Sequence, residues 1–159
     1  MPWTPKILAL VCTYCTYTAA DMAGSARMQY PANVRIVKYL CTGRVDILHI
    51  LKAFEAGADG VMVSGCEAGS CHFLEGNLRA RERVEYAQQL LEEVGLGRDR
   101  LQMYEIAASD APKWVAAVKE MTDRIKKMGP ALHPAPPPNP LLEGIGGEGV
   151  GEGVRACGP

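Results

Sequence analysis

Residues 57–77 read GADGVMVSGCEAGSCHFLEGN, and the order of residue types in them sets the fold. Gly60-Val61-Met62-Val63-Ser64 is a short apolar run between Gly57 and Gly65, the pattern of a strand buried on both faces of a parallel sheet. Its carboxyl end gives way to Cys66, and Cys71 follows five residues later. Gly65 and Gly69 let the backbone curl tightly around the pair. Two cysteines on one small-residue loop can face one centre, and soft thiolates select zinc or iron–sulfur clusters over hard cations.

Working outward, the segments on either side alternate between strand and helix periods. Before the loop, Val34 to Cys41 (VRIVKYLC) reads as a strand. Thr42-Gly43 then turns into a helix over 45–56, with Ile47, Leu48, Ile50, Leu51 and Phe54 as its apolar stripe. Earlier still, Lys6 to Cys12 (KILALVC) is a buried strand that runs straight into Cys12-Thr13-Tyr14-Cys15. Thr18 or Asp21 is placed to cap the short alanine-rich helix that follows, and Tyr30-Pro31 keeps the chain out of helix after Arg27. Beyond the loop, the spacing of Leu78, Val84, Ala87, Leu90, Leu91 and Val94 predicts a helix over 75–94, stopped by Gly95 and Gly97. Leu101 to Ile106 is a fourth, more amphipathic strand suited to a sheet edge. Ser109 or Asp110 caps a last helix with Pro112 in its first turn and Trp114, Val115, Val118, Met121 and Ile125 inward. Lys126 and Lys127 suit its negative end.

The alternation βαβαβαβα calls for parallel strands with right-handed crossovers. It predicts one small flavodoxin-like α/β three-layer sandwich over 1–128, with a four-stranded parallel sheet in the order 2-1-3-4. From Gly129 proline and glycine supply fifteen of the last 31 residues, too few apolar groups to offset ordering, so 129–159 reads as a disordered tail and Cys157 as a stray thiol in it.

Composition narrows the function. At 159 residues, with 48% hydrophobic and 22% charged, the chain has the material for one core. A net charge of −1 without a basic block gives no reason to expect nucleic acid or an anionic membrane. The apolar run after Lys6 is too short to span a bilayer and lacks a cleavage site, which points to a cytoplasmic protein. In that setting six cysteines point to metal or redox use rather than disulfides.

Topology gathers five of them. In an open parallel sheet ligands bind beyond the carboxyl ends of the strands, where the strand order reverses. Cys12, Cys41 and Cys66 each end a strand, and Cys15 and Cys71 lie on the loops above. A lone cysteine at a strand end is commonly a small core hydrophobe; five at one rim call for a centre. Zinc knuckles are usually two short pairs, whereas a [2Fe-2S] cluster takes four thiolates that can be more scattered, leaving one of the five spare. Cys66 is held by glycine turns at a buried strand end, and Cys15 occupies the freest loop position, so Cys15 is the cysteine most easily spared. No glycine-rich loop carries Lys-Ser/Thr, which leaves nucleotide hydrolysis without support, and CTYCTYT is a poor flavin-phosphate cradle.

These residues carry a resemblance. CTYCTYTAADMAGSARMQYPANVRIVKYLCTGRVD together with AFEAGADGVMVSGCEAGSCHFLEGN resembles the delta-subunit family of methyl-viologen-reducing (F420-non-reducing) hydrogenases, over about residues 5–127. The family's CxxC corresponds to Cys12 and Cys15, its strand-two cysteine to Cys41, and its GC-x4-CH pair to Cys66 and Cys71. The resemblance implies a [2Fe-2S] protein, a non-catalytic subunit of an oxidoreductase complex. It implies a relay of electrons between a hydrogenase or formate dehydrogenase and the flavin subunit of a heterodisulfide reductase-type, electron-bifurcating complex. Tyr14 stands where the family usually has tryptophan.

Other polar residues read as secondary. One histidine, His72, cannot supply the two nitrogens of a Rieske centre and reads as a neighbour of the site or the opening of the next helix. His49 reads as structural or surface, and Arg79, Arg81 and Arg83 as a solvated helix face rather than a docking patch. Asp59 and Glu67, near the thiols, read either as residues that tune the potential or as plain turn residues. Two rival classes stay open: a thioredoxin-like dithiol oxidoreductase using Cys12 and Cys15, and a zinc-stabilised interaction module.

Overall fold

The computed structural model describes residues 3–131. Four strands and four helices alternate: β1 (Ile7–Cys12), α1 (Thr16–Ser25), β2 (Val34–Tyr39), α2 (Ile47–Glu55), β3 (Gly60–Gly65), α3 (Gly76–Glu93), β4 (Leu101–Glu105) and α4 (Ala111–Met128). The strands form one all-parallel sheet in the order β2-β1-β3-β4, the order read from the alternation. The register sets Ile7 against Val34 on one side and Gly60 on the other, and Val61 against Leu101. The strands therefore finish nearly level.

Side chains alternate across the sheet and make two cores. Ala9, Val11 and Met62 face α1 and α4, packing on Ala19, Ala23, Trp114 and Val118. Leu10, Val61, Val63 and Leu101 face α2 and α3, packing on Ile50, Phe54, Val84 and Leu91. Covered on both faces, β3 is buried throughout, while β2 and β4 are the half-buried edges. A Cβ on Gly60 would lie 2.7 Å from the Ile125 side chain and 2.9 Å from that of Met121, so glycine is what lets α4 lie close over the start of β3.

Some local expectations need correction. Helix α1 begins at Thr16 with Cys15 at its N-cap and no side-chain cap; Thr18 instead donates its hydroxyl to the Thr13 carbonyl at 3.3 Å, and Asp21 is exposed. Strand β2 ends at Tyr39, two residues before Cys41, because the chain folds there into a 3-10 turn over Thr42–Arg44. His49 is exposed and its role is structural. It is the third residue of α2, where its Nδ1 accepts the Asp46 amide while the Asp46 carboxylate accepts from Leu48, a reciprocal cap. Leu48, Leu78 and Val94 are exposed, because the buried faces of α2 and α3 centre on Ile50 and Phe54 and on Ala80, Val84, Ala87 and Leu91. Of the two residues offered as caps for α4, Asp110 fills the role, accepting from the Lys113 amide at 3.2 Å.

Residues 132–159, and with them Cys157, lie outside the described residues. Gly129–Ala131 are tied to the core. The Arg100 guanidinium donates to the carbonyls of Gly129 and Pro130, and the Ala131 amide donates to Asp59 Oδ1 at 3.0 Å.

Candidate metal centre

Five cysteines from the three loops that follow β1, β2 and β3 meet at the carboxyl edge of the sheet. Cys12 ends β1, Cys15 caps α1, Cys41 starts the 3-10 turn after β2, Cys66 is the first residue beyond β3, and Cys71 lies five residues before α3. They contact one another as a third buried cluster, separate from the two cores, with exposures of 2, 5, 6, 5 and 9% in chain order. None is in a disulfide.

Two subsets are visible. The sulfurs of Cys12, Cys15 and Cys66 lie within 4.8 Å of one another, with Cys66 Sγ 3.1 Å from Cys15 Sγ. Cys41 and Cys71 converge on Gly76: a Cβ there would lie 2.1 Å from Cys41 Sγ and 3.3 Å from Cys71 Sγ. Gly43 in turn has room only for hydrogen, since its Cβ would sit 2.8 Å from Gly76 Cα. The two glycines let the turn after β2 and the start of α3 approach closely enough to bring these thiols together.

The scaffold around the thiols is hydrogen-bonded. Buried Asn77 donates to the carbonyls of Cys66 and Glu67 at 3.2 and 2.9 Å, fastening the 66–71 loop to α3. Arg83 donates to the carbonyls of Gly43 and Val45, so it is a tether rather than part of a solvated face. Arg79 and Arg81 are paired with Glu75 and Glu105, and Lys113 with Glu67 at 3.0 Å. Thr16 and Ser64, both fully buried, run behind Cys15. Their hydroxyls are 3.0 Å apart, and Ser64 donates to the Tyr104 carbonyl at 3.1 Å. Sequence reasoning does not single out Gly43, Gly76, Asn77, Thr16 or Ser64 for these roles. The Gly-Asn pair after CHFLE is the one local signal, since small residues ahead of a helix often mark a close approach.

The electrostatics are uneven. The Cys15 thiol brings the Cys12 thiol down to about 6, against the opposing effect of burial. The same contact, with burial and Cys66, pushes Cys15 well up. Burial raises Cys41 and Cys66, each offset in part, by the Gly43 amide and by the Cys15 contact respectively. Burial also works against Cys71, yet the amides of Asn77, Phe73 and Gly76 outweigh it and leave the thiol below its usual value.

His72 is exposed, and its ring stacks on Tyr14 at 4.3 Å, so it belongs to the surface over the thiols. Tyr14, Phe73, Leu40 and Leu74 form an apolar collar there, with Leu74 83% exposed and held at φ 67. A groove of about 560 Å³ lined by Leu40, Cys41, Phe73 and Leu74 opens beside Cys41. Asp59 is at the opposite end of the sheet from the thiols, accepting the Lys6 amide ahead of β1.

An all-sulfur donor set, buried and within mutual reach, fits a thiophilic metal or an iron–sulfur cluster. Residues 7–129 match the family described as "Methyl-viologen-reducing hydrogenase, delta subunit". The chain belongs to this family. It is 53% identical over 126 residues to the iron-sulfur subunit of the vhu F420-non-reducing hydrogenase of Methanocaldococcus jannaschii, covering 79% of this chain and 94% of that protein. It is 48% identical over 124 residues to the corresponding subunit of Methanopyrus kandleri, covering 78% and 94%. A third relative is much longer. This subunit of the ferredoxin/F(420)H(2)-dependent CoB-CoM heterodisulfide reductase of Methanosarcina acetivorans is 34% identical over 126 residues, which are 79% of this chain and 16% of that one. No helix among the described residues is long and apolar enough to cross a membrane.

Proposed function

We propose that this protein is a cytoplasmic [2Fe-2S] electron-transfer subunit, with four of Cys12, Cys15, Cys41, Cys66 and Cys71 as cluster ligands. It relays electrons from a hydrogenase or formate dehydrogenase to the flavin subunit of a heterodisulfide reductase-type, electron-bifurcating complex. The observation that carries the reading is the third buried cluster, five thiols brought together from three loops. When bound, the cluster supplies a one-electron carrier. The chain's own residues do the rest: Gly43 and Gly76 admit Cys41 and Cys71, Asn77 fixes the 66–71 loop, and the rings of Tyr14, His72 and Phe73 pack together at the rim.

The partner assignment is supported by the Methanosarcina acetivorans relative, in which a segment similar to this chain is part of a larger heterodisulfide reductase chain. Covalent linkage keeps two redox modules at high effective concentration, and separate chains replace it with an interface. The exposed collar and groove beside Cys41 are suited to that interface.

One observation favours the dithiol reading: the split between a lowered Cys12 and a raised Cys15 resembles a nucleophile with its resolving partner. Exposures of 2 and 5% oppose it, since a substrate disulfide must reach the attacking sulfur. The deciding experiment is anaerobic purification followed by reconstitution. About two irons and two sulfides per chain are expected, and hydrogen- or formate-dependent reduction of the flavin subunit should require the loaded chain. Stoichiometric zinc without visible absorption, or equal electron transfer in its absence, overturns the proposal; dithiol–disulfide turnover by the isolated chain installs the alternative.

A further inference from the structure

We propose that Cys15 is the one thiol of the five that does not ligate the cluster, and that it acts as a buried hydrogen-bond donor positioning the ligand sulfur of Cys66. This rests on the cluster reading above.

The first step is a count at each iron. A [2Fe-2S] cluster held by four cysteines places two on each metal. Cys41 and Cys71, gathered over Gly76, are one such pair. The remaining sulfurs, Cys12, Cys15 and Cys66, lie within 4.8 Å of one another, three thiols where the second iron takes two. The spare thiol is therefore in that triad.

Donor supply separates the three. The Cys12 sulfur faces the amides of Tyr14 and Cys15, and the Cys66 sulfur faces the amide of His72. The neighbours of the Cys15 sulfur are side chains: Cys12, Cys66 Sγ at 3.1 Å, and Thr16 Oγ1 at 3.7 Å. The Thr16 hydrogen is committed elsewhere. The Tyr104 carbonyl can only accept, so the Ser64 hydroxyl spends its hydrogen on it at 3.1 Å. Ser64 Oγ then accepts from Thr16 Oγ1 at 3.0 Å. The hydroxyl chain runs away from Cys15 toward β4, and a metal-bound sulfur at that position would be only 5% exposed and without a donor.

Cys66 sits differently. With all thiols protonated, Cys66 donates to Cys15 across the 3.1 Å contact. When Cys66 binds iron it releases its proton to solvent, and the one hydrogen left for that contact is the S–H of Cys15. Hydrogen bonds to cluster sulfurs are among the factors that set reduction potential, because they stabilise the more negative, reduced state. The Cys15 thiol thus holds Cys66 in place and raises the potential.

The test uses the full-length chain purified anaerobically, with Cys15→Ala, Cys15→Ser, Cys12→Ala and Cys66→Ala compared for iron, sulfide, EPR and midpoint potential. Both Cys15 variants are expected to keep the wild-type iron and sulfide content and EPR line shape. Cys15→Ala shifts the potential negative, and Cys15→Ser, which retains an O–H donor, lies between it and wild type. Cys12→Ala and Cys66→Ala lose most of the iron. Loss of iron in both Cys15 variants, or its retention in Cys12→Ala, overturns the assignment; an unshifted potential in Cys15→Ala overturns the hydrogen-bonding role. Should Cys15→Ala not fold, the iron content and potential of Cys15→Ser decide. A wild-type chain that holds zinc instead of iron sinks the cluster reading itself, a result distinct from any of these.

Discussion

The site depends as much on one missing methyl group as on its thiols. A Cβ on Gly76 would overlap Cys41 Sγ at 2.1 Å and crowd Cys71 Sγ at 3.3 Å. Cys41 cannot simply swing aside, since its sulfur accepts the Gly43 amide at 3.4 Å and Gly43 itself abuts Gly76. Gly76→Ala is therefore expected to lose more than half of the bound iron and about 1–3 kcal/mol of stability, the usual cost of overpacking. Gly24 is the control. It lies in α1 with nothing within 4 Å of its Cβ position, so Gly24→Ala keeps the iron and gains up to about 1 kcal/mol from helix propensity. Iron analysis and urea denaturation of both variants check the pair, and full iron retention in Gly76→Ala would show that the two loops can separate without losing the site.

At the scale of elements, the seam between β4 and α4 carries a titration. Tyr104 of β4 is pushed up to about 12, by burial first and then by Glu120 of α4, with Arg124 opposing. Below the ordinary value of 10.0 the phenol is neutral folded and unfolded, and its contribution to stability is fully present. Above it the unfolded chain ionises while the folded one does not, so stability is lost as pH rises from 10.0 through about 12. Tyr104→Phe is expected to flatten that part of the stability profile, measured as the difference from wild type in urea midpoints across the window; parallel profiles would remove Tyr104 as the cause. The same elements mark what the sequence makes legible. The continuous apolar run of β3 and the inner face of α4, Trp114 through Ile125, are local patterns, and they carry the sheet order with them. The five strand-end and loop cysteines follow from that order. The start of α1 was not legible, because its N-cap is a cysteine with no capping bond and the hydroxyl residues nearby act elsewhere. Nor were the contacts of Arg83 and Asn77, or the approach of Gly43 to Gly76, since each joins segments about ten or more residues apart whose spacing in the chain says nothing of their distance.

Across the whole molecule, thiols and chain exit lie at opposite ends of the sheet, which makes folding and cluster loading separable. Asp59, just ahead of β3, accepts the Lys6 amide at 2.8 Å and the Ala131 amide at 3.0 Å. Buried Arg100 donates to the carbonyls of Leu96, Asp59, Gly129 and Pro130, gathering the start of β3, the end of the α3–β4 connection and the exit from α4. A chain ended after Ala131 keeps every one of these bonds, so it should match the full-length protein in iron content and in urea midpoint. One ended after Met128 loses the Gly129 and Pro130 carbonyls and the Ala131 amide. A guanidinium that is 6% exposed is then short of two acceptors, and the cost is about 1–3 kcal/mol. The iron content should not change, because no thiol neighbour is touched. Equal urea midpoints for the two truncations would mean that Arg100 finds water when its acceptors go. Loss of iron in the chain ended after Ala131 would instead place residues 132–159 in contact with the rim, and the separation of the two ends would fail.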